Sequence, residues 1–363
     1  MPELVVLAEQ LLAPVPGGTG RYTAELLRAL ARTTPEGWTV SSVVARHADT
    51  GPARIDGVGG PRVLPLPPRA LIACWQAGVP LWPGGTAVHA PTPLAPPRAG
   101  RGRTLSVTVH DTVPWTHPET LTPRGVRWHR TMIARAARRA DALVVPTEAV
   151  AGELAGYVQP AARVRVAGHG VTELPSPVPV DVPARYVLAL GTIEPRKGID
   201  VLVEAMSMLS GSSAAPDVPL LLVGQPGWGG LDPHALARRH GLPEGRVRVL
   251  GRLPDAELAS VLRGASVLAA PSRAEGFGLP VLEAMAAGVP VVHSDAPALA
   301  EVAGGAGRMV PRGDAAALAT ALGEVLSSEK LAAGLAAAGR ARAAEFTWRR
   351  AAEAVWELHL GVR

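Results

Sequence analysis

Short apolar runs alternate with helical patterns along the whole chain, and this alternation restricts the possible folds more than any other feature. The runs are rich in Val, Leu and Ala and are bounded by Gly, Pro or polar residues, as is typical of buried strands. In the first half we predict strands at Leu4–Ala8, Thr39–Ala45, Thr86–His89, Thr104–His110 and Ala142–Pro146. In the second half we predict strands at Tyr186–Leu190, Leu220–Val223, Val247–Leu250, Ser266–Ala270 and Val289–His293.

Helical patterns occupy the intervals between these strands. They are predicted at Gly20–Arg32, Pro123–Ala140, Thr147–Tyr157, Gly198–Leu209, Pro233–His240, Asp255–Arg263, Leu279–Ala287, Ala315–Leu326 and Thr347–Leu360. Strands that alternate with helices form parallel sheets with helices on both faces, so the sequence predicts an α/β fold.

The chain is long enough for two domains, because a domain usually holds roughly 100–200 residues. A proline-rich segment without a periodic pattern, Val171–Pro183, is typical of a linker. We therefore predict a Rossmann-like domain at 1–172, a linker at 173–184, a second Rossmann-like domain at 185–346 and a terminal helix at 347–363. Open parallel sheets bind ligands beyond the carboxyl ends of their strands, so two facing sheets would place the motifs that follow strands around an interdomain cleft.

Composition excludes several classes of protein. With 47% apolar residues the chain can bury large cores, which excludes global disorder. The single cysteine, Cys74, excludes a disulfide framework and a zinc site of paired thiolates, and we expect a small buried hydrophobe there. The first apolar run is short for a secretory signal, and the longest uncharged stretch, Ala70–Pro97, is interrupted by prolines. We expect a soluble, cytoplasmic protein.

The formal net charge of +5 lies entirely in the first half of the chain, and one predicted helix there is strongly basic. Its arginines are Arg124, Arg127, Arg130, Arg135, Arg138 and Arg139. Such a helix can rest on anionic lipid, which would make the protein peripheral at the inner face of the membrane. The alternative is a solvated face that reflects a general preference for Arg over Lys, since Lys197 and Lys330 are the only lysines. No nucleic-acid module is recognisable, so nucleic acid is not an expected partner.

A glycine-rich turn, Gly17-Gly18-Thr19-Gly20-Arg21-Tyr22, follows the first predicted strand and opens the first predicted helix. Glycines let the backbone approach a ligand closely, and the amides of a helix start favour an anion. The run lacks the Gly-Lys-Ser/Thr of a P-loop and the third glycine of a dinucleotide fingerprint. We expect Gly17 and Gly18 to contact phosphate, with a plain turn as the alternative. Tyr22 is a candidate on the acceptor side of the site, that is, for contact with a substrate hydroxyl.

His110 and Asp111 stand at the carboxyl end of a predicted strand, where a site is expected. A histidine there can bind a sugar hydroxyl or shuttle a proton, so we predict that His110 is catalytic. We also expect both residues to face the hydroxyl of an acceptor substrate. The alternative is a polar pair that caps the following loop. The further His and Asp residues of a metal phosphohydrolase are not recognisable, and we expect no bound metal.

The segment Gly191–Gly198 leaves one predicted strand and enters a helix. It contains two adjacent cations, Arg196 and Lys197. A planar guanidinium beside a compact ammonium suits a diphosphate. A surface pair at a helix start is the alternative, but cations there would oppose the helix dipole. We predict that both residues bind phosphate and assist catalysis.

The most specific motif runs from Pro271 to Glu283 and follows the predicted strand Ser266–Ala270. The helix is expected to begin near Leu279, because proline is common in a first helical turn, and its N-terminal amides can hold a diphosphate. Glu283, about one turn inside the helix, can accept ribose hydroxyls, whereas the loop carboxylate Glu275 can reach the transferred group. The alternative is a helix with exposed glutamates.

At these residues the chain resembles the retaining glycosyltransferases of family 4, which have the GT-B fold. Glu275 and Glu283 resemble the family's two glutamates separated by seven residues. Gly191–Lys197 resembles its Gly-x-x-Glu-Pro-Arg-Lys element, whereas Gly198 departs from the Asn of many members, from which we expect little effect. The Gly17–Tyr22 turn and the His110-Asp111 pair resemble its glycine and His-Asp loops. The segment from Phe346 resembles the one that crosses back to the first domain.

The resemblance implies a role for each motif. Arg196 and Lys197 would hold the diphosphate of a nucleotide-sugar donor, Glu283 its ribose, and Gly18 a phosphate. Residues Glu275, Gly276, Phe277, Gly278 and Leu279 would hold the sugar. The first domain would bind the acceptor and the second the donor, and the family usually needs no metal or other cofactor. Similarity to mannosyltransferases favours GDP-mannose as the donor, with UDP-sugars as the next choice.

Three functions remain open at this stage. The first is a hexosyltransferase in which the acceptor hydroxyl attacks from the front face and the leaving phosphate takes its proton, because no second carboxylate is placed as a nucleophile. The second is a nucleotide-sugar epimerase or hydrolase on the same fold. The third is a catalytically silent binding module, which the intact cations and glutamates disfavour.

Overall fold

The computed structural model describes residues 1–210 and 218–360 and divides into two compact units. Unit 1 contains residues 1–170 and the C-terminal segment from Phe346, and unit 2 contains residues 171–345. The end of the predicted terminal range, at 361–363, lies outside the described residues. Each unit has its own parallel sheet with helices, which confirms the predicted α/β class.

Unit 1 is built on a seven-stranded parallel sheet. Its strands are β1 (Glu3–Leu7), β2 (Thr39–Val44), β3 (Gly59–Val63), β4 (Ala87–Ala90), β5 (Thr104–Thr108), β6 (Ala142–Val145) and β7 (Arg163–Val166). Its helices are α1 (Gly17–Arg32), α2 (Pro68–Gln76), α3 (Val113–Thr116), α4 (Pro123–Arg139), α5 (Glu148–Tyr157) and the C-terminal α13 (Trp348–Leu360). The strand order is β3-β2-β1-β4-β5-β6-β7. Helix α13 packs on α1, where Trp356 Nε1 donates to the Leu30 carbonyl at 3.3 Å, so the C-terminal helix returns to the first domain as expected.

Unit 2 is built on a six-stranded parallel sheet in its described part. Its strands are β8 (Val187–Leu190), β9 (Leu220–Val223), β10 (Val247–Gly251), β11 (Val267–Ala270), β12 (Val291–Ser294) and β13 (Arg308–Val310). Its helices are α6 (Ile199–Ser210), α7 (Pro233–Arg239), α8 (Asp255–Arg263), α9 (Leu279–Ala287), α10 (Pro297–Ala303), α11 (Ala315–Ser327) and α12 (Glu329–Ala343). The order β10-β9-β8-β11-β12-β13 reverses between β8 and β11, which makes these strands the topological switch point.

All ten predicted strands and all nine predicted helices are present, and most have ends that differ from the predicted ones by one to three residues. Three of the strands in the described part of the chain were not predicted, and all three lie at sheet edges: β3, β7 and β13. Their residues are largely exposed, so they carry no buried apolar run that the sequence could reveal. No helix among residues 1–210 and 218–360 is long and apolar enough to cross a membrane.

One face of β5 is polar and buried. Alternate residues of a strand share a face, so Thr104, Ser106 and Thr108 point to the same side. His359 of α13 bonds through Nδ1 to Thr104 Oγ1 at 2.7 Å and through Nε2 to Ser106 Oγ at 2.8 Å. His89 of β4 bonds to Ser106 Oγ at 2.8 Å and to Thr108 Oγ1 at 3.3 Å. These bonds form a continuous polar track between α13 and the sheet.

Both histidines of this track are neutral in the folded protein. Burial lowers the pKa of His359 to about 4 and, together with the nearby His359 and His110, lowers the pKa of His89 to about 3. An unfolded histidine titrates near 6.5, so the unfolded chain binds more protons than the folded chain between that value and the folded pKa. The track therefore destabilises the fold as the pH falls below about 6.5.

We predict that His359→Gln makes the stability less dependent on pH. The free energy of unfolding of the original protein should fall as the pH decreases from 6.5 towards 4. In the variant this dependence should be weaker, because the unfolded chain takes up about one proton fewer relative to the folded chain. Urea unfolding at several pH values measures both curves. The matched control is His234→Gln, because His234 is exposed and lies outside the polar track. Parallel curves for His359→Gln would contradict the assignment.

Candidate active site

Two loops of unit 2 lie side by side at the switch point, because each follows one of its two strands. The loop 191–198 follows β8, and the loop 271–278 follows β11. The backbone amide of Arg273 donates to the Arg196 carbonyl at 2.7 Å, and its guanidinium donates to the Pro195 carbonyl at 2.5 Å. The two sequence motifs therefore form one structure.

A cluster of opposite charges joins these loops. The Glu275 carboxylate accepts from Lys197 Nζ at 2.5 Å and from Ser272 Oγ at 2.7 Å, and its other oxygen lies 3.6 Å from the Arg196 guanidinium. Arg196 also donates to Glu194 at 2.6 Å. All four charged side chains are less than one-fifth exposed. The sequence identified the cations but did not show that each is already paired with a carboxylate.

Glu275 is ionised in this cluster. Burial alone raises the pKa of its carboxyl, but the charges of Lys197 and Arg196 and the hydrogen bonds from Lys197 and Ser272 together hold that pKa below its ordinary value. Because the folded-state pKa is depressed, the carboxylate stabilises the fold above its ordinary range, and this contribution is lost as the pH falls. The arrangement balances two positive charges against Glu275 and Glu194.

Helix α9 begins at Leu279, as predicted, and Gly278 is its left-handed N-cap with a φ of 94°. Pro280 has no amide hydrogen, and the amide of Val281 donates to the Gly278 carbonyl at 2.9 Å. The amides of Gly278 and Leu279 are then the ones that an anion could use at the helix start. The N-terminus of α9 therefore offers fewer backbone N–H donors than a helix start without proline.

The residues that were predicted to bind the sugar donor differ in their surroundings: some line a cavity, and others have buried side chains. A small cavity within unit 2 is lined by Gly191, Lys197, Ser272, Glu275 and Gly278 among others. The side chains of Phe277 and Glu283 are buried, at 5% and 6% exposed. The cavity thus brings Lys197 and Glu275 together, whereas the ribose assignment of Glu283 stays a prediction.

Gly198 is required by the packing of the two loops. Its φ is 67°, and a Cβ atom there would overlap the carbonyl oxygen of Pro271. The expectation that glycine in place of the family's usual asparagine has little effect stays a prediction, but the structure gives glycine a packing role at this position. The backbones of the two loops approach too closely for a side chain.

We predict that Gly198→Ala destabilises the protein more than Gly241→Ala. Both glycines have positive φ, 67° and 72°, but nothing lies within 4 Å of a Cβ at Gly241. Positive φ costs alanine about 1 kcal/mol at either site, and overlap with Pro271 adds to this only at Gly198. Thermal unfolding of the two variants measures the difference, and equal melting temperatures would contradict the close approach.

In unit 1, His110 is held by a backbone carbonyl. Its Nε2 donates to the Pro91 carbonyl at 2.8 Å, so Nδ1 is left as an acceptor. Burial lowers the pKa of His110, although the Pro91 bond and Asp111 act in the opposite direction. Asp111 Oδ1 accepts from the Val113 amide at 3.1 Å and so caps the start of α3, which is the capping alternative stated above. The pair therefore combines a neutral imidazole with a structural carboxylate.

Tyr22 lies in the core of unit 1. It is 2% exposed, and its hydroxyl bonds to Thr108 Oγ1 at 3.1 Å, at the end of the polar track. Burial raises its pKa. Its ring meets the His110 ring edge to face at 4.7 Å. Tyr22 was predicted to lie on the acceptor side, but its side chain is not at the surface. It packs against His110 from within the core.

The glycine-rich segment differs from its predicted form. A short 3-10 turn, Glu9–Leu12, separates β1 from α1, and the helix begins at Gly17 instead of Gly20. A Cβ at Gly20 would overlap Pro16, so this glycine serves helix packing. Gly17 and Gly18 are exposed at the helix start, and their phosphate contact stays a prediction.

The basic helix α4 does not present all six arginines to solvent. Arg130 donates to the Pro114 carbonyl at 2.9 Å, and Arg135 donates to the carbonyls of Trp75 and Gln76 at the end of α2. The exposed arginines of α4 are Arg124, Arg127, Arg138 and Arg139. Cys74, expected to be buried, is only half-buried.

Sequence reasoning missed three residues of the donor-side cluster. Arg273 forms a two-bond ion pair with Asp200 at 2.7 and 2.8 Å, which lowers the pKa of Asp200. Ser272 donates to Glu275, as described above. Their positions directly after β11 and in the first turn of α6 were the available signal. Within the described residues, no group of three or more His, Cys, Asp or Glu could hold a metal ion.

Profiles of two glycosyltransferase families match the chain. The family described as "Glycosyltransferase Family 4" matches residues 16–173, and that described as "Glycosyl transferases group 1" matches residues 184–328. The chain belongs to glycosyltransferase family 4. The two matches cover most of the chain and divide it between the two units.

Curated relatives of this family 4 member include mannosyltransferases. It is 39% identical over 163 residues to O-antigen chain mannosyltransferase B of Escherichia coli, which covers 45% of this chain and 42% of the relative. It is 41% identical over 168 residues to the phosphatidyl-myo-inositol mannosyltransferase of Mycolicibacterium smegmatis, with the same coverage. The chain spans less than half the length of each of these relatives.

Solved structures show the same fold along nearly the full chain. Sucrose-phosphate synthase from Thermosynechococcus elongatus matches with a TM-score of 0.74 and 24% identity, covering 99% of this chain and 98% of the other. HepE from Anabaena, solved with UDP and glucose, matches with a TM-score of 0.72 and 19% identity, covering 98% and 99%. The fold is therefore of the GT-B type.

Proposed function

We propose that this protein is a retaining glycosyltransferase that transfers a hexose from a nucleoside diphosphate sugar to an acceptor hydroxyl. The observation that carries the proposal is the Lys197–Glu275–Arg196 cluster beside the start of α9, at the switch point of unit 2. GDP-mannose is the proposed donor, because several relatives are named mannosyltransferases. Unit 2 binds the donor and unit 1 the acceptor.

The charges of the cluster account for leaving-group stabilisation. When the bond to the anomeric carbon breaks, negative charge grows on the diphosphate, and Arg196, Lys197 and the α9 amides stabilise it mainly in the transition state. The acceptor hydroxyl attacks on the same face as the leaving group, and a phosphate oxygen takes its proton. A trapped glycosyl adduct on Glu275 or Asp111 would contradict this front-face path.

The other side chains bind hydroxyl groups. Glu275 is an ionised acceptor beside the cations and suits hydroxyls of the transferred sugar, whereas Glu283 in α9 is assigned to the ribose. His110 is neutral and offers Nδ1 as an acceptor for a substrate hydroxyl. Gly17 and Gly18 would add backbone donors for phosphate. No metal or cofactor takes part in these steps.

The acceptor side includes a proposed membrane contact. Four exposed arginines lie on α4, at Arg124, Arg127, Arg138 and Arg139. They could hold the protein at an anionic inner membrane surface. One relative is named as a phosphatidyl-myo-inositol mannosyltransferase, which supports a lipid-linked acceptor.

We predict that Lys197→Ala lowers the transfer rate by roughly 100- to 1,000-fold, because it removes one group that stabilises the leaving diphosphate. Radiolabelled or coupled assays with GDP-mannose and an acceptor extract measure the rate, and product analysis without acceptor separates transfer from hydrolysis. The matched control is Lys330→Ala, since Lys330 is the only other lysine and is exposed on α12. Equal rates for Lys197→Ala and the original protein would contradict the phosphate assignment.

We predict that Glu275→Gln binds GDP several-fold more tightly while transfer falls. The substitution removes one of the two negative charges that balance the cations, so the site becomes more positive, but the sugar loses an ionised partner. Calorimetric titration with GDP and the transfer assay measure the two effects. Glu357→Gln is the control, because it removes a carboxylate paired with Arg165 in unit 1. Weaker GDP binding would instead show that Glu275 positions Lys197.

A further inference from the structure

The loop after β9 presents an exposed tryptophan that the proposed function has not used. Trp228 lies in Gly224-Gln225-Pro226-Gly227-Trp228-Gly229-Gly230 and is 46% exposed. A large aromatic side chain at the carboxyl end of a parallel sheet stands where ligands of such folds bind. A tryptophan that served only the core would be buried.

This loop is pressed against the cation-bearing loop. The amide of Ile193 donates to the Gln225 carbonyl at 2.9 Å, and the amide of Gly227 donates to the Ile193 carbonyl at 2.9 Å. A Cβ at Gly224 would overlap the Gly191 carbonyl. The loop is therefore held by its neighbour, and glycine is needed for the close approach.

The two glycines that flank Trp228 touch the residues directly before Arg196. A Cβ at Gly227 would lie 3.3 Å from Glu194, the carboxylate that holds Arg196, and a Cβ at Gly229 would lie 2.8 Å from Pro195. The indole is thus carried on the same rigid group of loops as the diphosphate-binding pair. Because the backbone of this loop is already held, binding has to order only the Trp228 side chain, which limits the entropy lost on binding.

We propose that Trp228 forms one face of the nucleobase site and stacks on the base of the donor nucleotide. This inference rests on the proposed function, because it takes the diphosphate position from Arg196 and Lys197. A nucleotide anchored there by its phosphates has one flat, aromatic end, and an exposed indole one loop away is the complementary surface. Every base has a π-face, so stacking contributes affinity whatever the base.

The test compares nucleotide binding with binding of the bare diphosphate. Calorimetric titrations use GDP, GDP-mannose and inorganic pyrophosphate with the original protein, Trp228→Ala and Trp228→Phe. Loss of one stacked base should weaken GDP binding of Trp228→Ala by roughly 10-fold or more. Pyrophosphate binding should be unchanged, and Trp228→Phe should keep most of the GDP affinity. Tyr157→Ala is the matched control, because Tyr157 is equally exposed, at 45%, but lies in unit 1.

The outcomes separate this inference from the proposed function. If Trp228→Ala binds GDP as tightly as the original protein, the inference is overturned and the proposed function is unaffected. If only binding of GDP-mannose is weakened, the indole contacts the sugar and the inference is again overturned. If the original protein binds neither GDP nor pyrophosphate, both proposals fail. Equal loss of GDP and pyrophosphate binding in Trp228→Ala also overturns stacking, since the loop itself would then have moved.

Discussion

The ion cluster around Glu275 is the interaction on which the donor half of the molecule depends. It joins two loops that follow neighbouring strands, β8 and β11, and its cations hold down the pKa of a carboxyl group that burial alone would raise. Breaking such a buried pair leaves an uncompensated charge, so the loops and their charges act as one structure. A diphosphate that binds here must share Arg196 and Lys197 with Glu275. Binding of the leaving group is thereby coupled to the carboxylate that is proposed to contact the sugar.

Unit 1 uses polar groups in a different way. In its polar track, hydroxyls and neutral imidazoles of β5, β4 and α13 form hydrogen bonds with one another and carry no charge. The track ends at Tyr22, whose ring supports His110. A histidine held by a carbonyl on one side and by an aromatic edge on the other has a defined orientation and an acceptor nitrogen, as the proposed acceptor role requires.

Local patterns predicted most of the fold. Helix α9 was predicted from Leu279 to Ala287 and α8 from Asp255 to Arg263, because proline and glycine mark their ends. The start of α1 was misplaced by three residues, since glycines there suggested a turn. Edge strands such as β3 went unseen because exposure removes the apolar run that defines a buried strand.

The sequence by itself determined the α/β class, the order of elements and the chemical types at the candidate site. Only the tertiary structure decided that Lys197 pairs with Glu275, that Arg135 is held by the end of α2, and that Gly198 has no room for a side chain. The physical reason is range: periodicity reports which residues are buried within one element, whereas Lys197 and Glu275 are 78 positions apart and meet only because β8 and β11 are neighbours in the sheet.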